Sequence, residues 1–154
     1  MMIKSLIDIS IKMKKTLVSV AMLLVMFSCS TTQRTNVNKP LYEVLLQQND
    51  GGANINFYEI LSESNEIKML LNDEKLKGKI NTDDVQQSNF VVLNMGEKNT
   101  GGYSITVDNV TETETEIVIT LKETKPEPGA MLIQQITYPY TVVKINSKKQ
   151  IVIK

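Results

Sequence analysis

Between Tyr103 and Leu121 the chain alternates in two runs. Tyr103, Ile105 and Val107 are separated by Ser104 and Thr106, and Ile117, Ile119 and Leu121 by Val118 and Thr120. Successive side chains of a strand point to opposite faces, so a period of two puts one set on a core. A helix buries positions three or four apart and cannot satisfy this spacing. The second half of the chain is therefore expected to be sheet. FVVLNM, residues 90–95, is a short buried run, and VVKI (142–145) and IVI (151–153) are expected to close the domain as a hairpin around NSKKQ. TETETE, residues 111–116, reads as a solvated turn and strand start whose acids discourage edge pairing with other chains. KPEPG (125–129) is a turn or loop, AMLIQQIT leads on into TYPY (137–140), and Pro139 removes a ladder donor and marks an edge, a bulge or a bend.

The first half is less uniform. YEVLLQQ (42–48) and INFYEIL (55–61) flank NDGGAN, where Asp50, Gly51 and Gly52 can take positive φ, so a hairpin or a short loop is expected. In SESNEIKMLLNDEKLKG (62–78), Ile67, Leu70, Leu71 and Leu76 fall at helical spacing, Ser62 or Ser64 can cap the start, and Gly78 can end the helix. TDDVQQSN (82–89) reads as a loop. Its adjacent Asp83 and Asp84 lie on opposite sides of the chain and give little support for calcium, so no metal is expected. The fold class that follows is mainly β: an antiparallel β-sandwich or barrel-like domain over residues 41–154, with one amphipathic helix in its N-terminal half.

At the N-terminus, MKK from Met13 precedes an apolar stretch from Leu17 to Phe27, then Ser28 and Cys29. A basic segment, an apolar segment of this length and a small residue at the break are the marks of a secretory signal, and the stretch is too short to cross about 30 Å of hydrocarbon. Residues 1–28 are expected to be removed, with Met13 as the true start. Cys29 is the single cysteine, which excludes an internal disulfide, and MFSC resembles a bacterial lipobox with Met26 where leucine is usual. A diacylated Cys29 would hold the protein to a membrane by lipid. Ser30 follows in place of the aspartate of the inner-membrane sorting rule, so residence at the outer membrane, facing the periplasm or the outside, is expected. Residues 29–40 are expected to be a polar, flexible tether reaching roughly 15 to 20 Å.

Composition narrows the chemistry. The 154 residues carry 17 basic and 17 acidic side chains, and loss of Lys4, Lys12, Lys14, Lys15 and Asp8 with the signal leaves a mildly acidic chain. No basic field exists to hold nucleic acid. There is no histidine, which removes the usual general base, the Ser-His-Asp triad and the commonest metal ligand together. No enzyme activity and no cofactor are expected.

The segment NMGEKNTGGYSI, residues 94–105, invites comparison with a phosphate-binding loop. Gly96 and Gly101 have the GxxxxG spacing, but Gly102 and Tyr103 stand where lysine and Ser/Thr belong, and a strand pattern follows where a helix should begin. Read from the residues, it is a connection between strands in which Asn99, Gly101 and Gly102 supply left-handed conformations.

GEKNTGGYSI followed by PEPGAMLIQQITYPYTVVKI resembles the C-terminal domain of the protease complex subunit PrcB family. The features that carry the likeness are Thr100 to Tyr103, Pro128 with Gly129, and Thr137 to Tyr140, within residues 90–145. The resemblance implies a non-catalytic lipoprotein that binds and stabilises a secreted or surface protease. NTGGY and the later YPY also follow the order of two loops in chagasin-type inhibitors of cysteine proteases, which have an immunoglobulin-like sandwich. Gly101 in place of threonine and the lack of tryptophan depart from that pattern. A structural envelope lipoprotein with no protease partner is the third reading. For both protease readings the expected contact residues are Thr100, Gly101, Gly102, Tyr103, Tyr138, Pro139 and Tyr140, because rigid aromatic anchors carry much of interface energetics.

Overall fold

Seven strands carry the period-two pattern into two sheets in the computed structural model, which describes residues 39–154. The expected signal segment, the lipidated Cys29 and the tether up to residue 38 lie outside the described residues. The strands are β1 (Tyr42–Gln48), β2 (Asn56–Leu61), β3 (Asn89–Met95), β4 (Ser104–Glu112), β5 (Glu116–Thr124), β6 (Tyr140–Ile145) and β7 (Gln150–Ile153). One sheet has the order β1-β6-β3-β2 and is antiparallel throughout; the other has the order β4-β5-β7, with β7 parallel to β5. The sheets form a sandwich and not a closed barrel.

The alternation decides which side chains meet between the sheets. Val91, Leu93 and Met95 of β3 and Val143 and Ile145 of β6 pack against Ile105, Val107, Ile117, Ile119 and Ile151 of the second sheet. Thr141, fully buried, donates its hydroxyl hydrogen bond across the gap to the carbonyl of Ile105. The opposite parity of β3 and β6 faces away from the sandwich. Phe90 and Val142 there join Leu45, Leu46, Leu61, Ile67, Leu76, Ile80 and Val85 in a second core. The four-stranded sheet is thus a middle layer covered on both faces, which is why FVVLNM reads as an unbroken apolar run. In β1 a register shift between Val44 and Leu46 lets Leu45 and Leu46, adjacent in sequence, both join this second core.

The second core is roofed by residues 62–88. The helix expected across this stretch is shorter: α1 covers Ser64–Leu70 and a separate 3₁₀ turn covers Glu74–Leu76. The break has a local cause. The Asp73 carboxylate accepts from the Lys75 N–H at 2.8 Å and starts a new turn, an alternative that Asp offers to the backbone wherever it can reach it. The start of α1 is held by Glu66 and not by a serine: its carboxylate accepts from the N–H groups of Ser62 and Glu63 at 3.2 and 3.1 Å. The stretch 82–89 is not all loop, since Asp84–Gln87 form a short helix, α2.

At NDGGAN the loop alternative holds, and the hairpin expected around NSKKQ is absent. β1 and β2 flank NDGGAN but lie at opposite edges of their sheet, so this segment is a loop. β6 and β7 flank NSKKQ but belong to different sheets. Both sides of β6 are already occupied, by β1 and β3, and β7 instead crosses to place Ile151 in the inter-sheet core beside β5.

An ionic cluster crosses the helical face. Lys144 of β6, 4% exposed, stands 3.0 Å from the Glu43 carboxylate and 3.6 Å from that of Asp84, which is 3% exposed. Lys39 approaches the other Asp84 oxygen at 3.4 Å. Burial works against the charged form of Asp84, but the Asn81 N–H and the ammonium groups of Lys144 and Lys39 outweigh it and hold the carboxyl below its ordinary value.

Candidate functional site

NMGEKNTGGYSI connects β3 to β4, strands of different sheets, so the segment is a crossing between layers and not a hairpin turn. It is stitched to the long connection between β5 and β6. The backbones of Lys98 and Thr137 exchange two hydrogen bonds of 2.9 Å, the Thr137 hydroxyl donates to the Thr100 carbonyl at 3.0 Å, and the Gly101 N–H donates to the Ile133 carbonyl at 3.1 Å. Gly102 has φ +89° and packs so closely that an added Cβ would lie 3.0 Å from Pro126. A side chain there would be strained on both counts.

Residues 125–139 form the counterpart of this loop. AMLIQQIT does not lie in a strand; its one ladder contact is the bridge at Thr137. A strand would bury one parity of these side chains, yet Met131, Ile133 and Ile136 are 102%, 73% and 50% exposed while Leu132 sits against Gly102. These three side chains were not among the contact residues expected from sequence. Their signal was present, because MLIQQI is apolar without a clear period and follows PEPG, but a sequence pattern does not tell a covered apolar run from an uncovered one. Between this segment, Gly101 and Asp50 lies a groove of ≈ 390 Å³.

The residues singled out by sequence divide by location. Thr100, Gly101 and Gly102 are in the stitched loop beside the groove, at the same pole as Tyr138. Tyr138 is half-buried and its hydroxyl donates to Glu97 at 3.1 Å. That hydrogen bond, then burial, then the charges of Glu97 and Asp50 push its hydroxyl above the ordinary tyrosine value. Tyr103 packs against the inter-sheet core, with the Lys98 ammonium 5.8 Å from its ring centre. Pro139 is buried and its carbonyl accepts from Met95 N–H at 3.0 Å, where it caps the end of β3. Tyr140 packs on the second core, and its hydroxyl accepts from Lys75 Nζ at 3.1 Å. Tyr103 and Tyr140 therefore belong to different cores, on opposite faces of the middle sheet.

NDGGAN completes the pole. Asn94, 1% exposed, accepts from the Ala53 N–H and donates to the carbonyls of Ala53 and Ile55. Gly52 N–H donates to the Tyr138 carbonyl at 2.9 Å. A Cβ on Gly52 would stand 2.1 Å from Asn94 Oδ1 and 2.8 Å from that carbonyl, both firmly held. Gly52→Ala is thus expected to cost about 2 kcal/mol by overpacking. The check is urea unfolding: the midpoint should fall at an unchanged slope, and an unchanged midpoint would mean that the loop is not clamped here.

Among the described residues no group of three or more His, Cys, Asp or Glu converges as metal ligands would. The arrangement is a partly apolar surface held by backbone hydrogen bonds between two connections.

Residues 89–146 match the family model described as PrcB C-terminal, a span that runs from β3 through β6 and contains both stitched segments. An uncharacterized protein of Methanocaldococcus jannaschii is 35% identical over 57 residues, which are 37% of this chain and 34% of that protein. The chain therefore matches about a third of the length of this relative. No solved structure matches the chain.

Proposed function

We propose, with the PrcB C-terminal match over residues 89–146 as premise, that this protein is a non-catalytic accessory subunit that binds and stabilises a secreted or surface protease. It acts at the cell envelope, held to the outer membrane by lipid on Cys29. The binding surface is the pole formed by residues 97–103 and 125–138. The observation that carries this reading is the exposure of Met131, Ile133 and Ile136 on a segment pinned by backbone hydrogen bonds to the glycine loop. Clustered apolar side chains held in water mark contact surfaces, and pinning them in advance lowers the ordering cost of binding. Both segments lie inside the matched region, whereas the helical roof does not.

The test is capture of protease from cell envelopes by the full lipidated chain, beside the variant Met131→Ser with Ile133→Ser. Both side chains are exposed, so the variant should keep its thermal midpoint, while losing protease roughly 30-fold, as expected for loss of about 2 kcal/mol of interface energy. Equal capture by the variant would move the interface elsewhere. Capture of envelope components without any protease would support the structural reading instead. A captured protease that is inhibited in proportion to added protein, and not prolonged in lifetime, would favour the inhibitor.

A further inference from the structure

Gly101 differs from the other glycines that the fold uses. Gly51, Gly78, Gly96, Gly102 and Gly129 have positive φ, and Gly52 is hemmed in by Asn94 and Tyr138. Gly101 has neither feature: its φ lies outside the left-handed region and a Cβ placed on it would meet nothing within 4 Å. The fold would accept alanine or a larger residue there. Gly101 also lines the groove, so a side chain there would add bulk at its wall. A glycine that folding does not require, set in the wall of an open groove, leaves room for another backbone to approach.

The rest of the wall suggests what approaches. Met131 and Ile133 line the groove and are exposed. Asp50 lines the same groove, and among the described residues its carboxylate makes no ion pair. Lys75 feels its charge but is engaged with Tyr140 and Gln48. Glu97 adds a second negative group close by, on Tyr138. An apolar wall in one groove with a carboxylate that forms no ion pair complements an apolar side chain with a cation beside it.

We infer that the groove binds a short extended segment of the partner protein, its backbone laid against Gly101, an apolar side chain against Met131 and Ile133, and a neighbouring lysine or arginine at Asp50. This rests on the accessory-subunit reading and names the chemistry that its surface recognises.

The probe is a phage-displayed library of random heptapeptides, selected on the full chain in detergent. Enriched peptides should carry Lys or Arg within two positions of Leu, Ile, Met or Phe. Gly101→Val should weaken their binding roughly tenfold or more without lowering the thermal midpoint, with Gly101→Ala giving a smaller loss in the same direction should valine disturb the loop. Selection on Asp50→Lys should turn the preference to Asp and Glu. Failure to enrich any peptide, binding that tolerates both Gly101 variants, or a charge preference indifferent to Asp50→Lys would each overturn the inference. The two readings fail separately. If Met131→Ser with Ile133→Ser loses the protease while Gly101→Val keeps it, the accessory role stands and the extended segment falls; if the serine variant keeps the protease, this pole is not its interface.

Discussion

Phe90→Ala is expected to lower stability by about 4 kcal/mol, within the range for truncating a fully buried aromatic residue. Phe90 is 0% exposed on the central strand β3 and is the largest fully buried side chain of the described residues. It is packed in the core that joins the middle sheet to Ile67, Leu76 and Val85 of the helical roof. Polar ties from Lys75, Lys79 and Asp84 also hold the roof to the sheet, and Phe90 supplies the largest fully buried apolar contact between them. Removing the ring leaves a cavity that flanking strands β2 and β6, locked by their ladders, cannot close. At roughly 4 °C per kcal/mol for a domain of this size, the thermal midpoint should fall by about 15 °C. Phe90→Leu, which keeps most of the volume, should lose only about 1 kcal/mol. Calorimetry on both variants is the check, and equal losses would show that ring volume is not what holds the roof.

Asp84→Ala is expected to cost about 3 kcal/mol at neutral pH. Truncating one partner of a buried pair leaves the other charge poorly compensated, which typically costs 3 to 5 kcal/mol. Glu43, still 3.0 Å from Lys144 but half exposed, keeps the loss near the lower end of that range. Adding Lys144→Met should recover most of the loss, because the apolar replacement carries no desolvated charge. The pH dependence follows in sign from the depressed carboxyl. A group whose folded value lies below its unfolded value contributes stability above about pH 3.9 and loses it as pH falls through the folded value. Urea midpoints measured from about pH 5 to about pH 2 should therefore decline less steeply in Asp84→Asn than in the parent chain. Parallel decline would mean that Asp84 is not ion-paired in the native state.

Much of the fold was legible because strand alternation is a one-dimensional signal. Ile105, Val107, Ile117 and Ile119 face the core that their parity assigns them, and β3 is buried on both faces as its unbroken run implies. TETETE does join β4 to β5. Pairing was less legible, since which strand a given edge meets depends on edges already taken elsewhere. That is why NSKKQ and NDGGAN, with the residues of tight turns, join strands that do not pair. The glycine loop shows the same division at the candidate site. Of Asn99, Gly101 and Gly102, all expected to be left-handed, only Gly102 is, and the loop's attachment to Ile133 and Thr137 spans more than thirty residues of sequence and is visible only once the sandwich brings them together.

The sequence by itself determined a mainly β chain with a glycine turn after a buried strand, without a histidine for acid–base catalysis, and with a single cysteine at position 29. Periodicity and composition carry such information because they depend on neighbours along the chain. The tertiary structure alone decided that Tyr103 and Tyr140 serve separate cores, that Lys144 and Asp84 share a buried site, and that Met131, Ile133 and Ile136 are left uncovered beside Gly101. Burial is a property of what packs on a residue from distant parts of the chain, and an apolar side chain reads the same in sequence whether or not anything does.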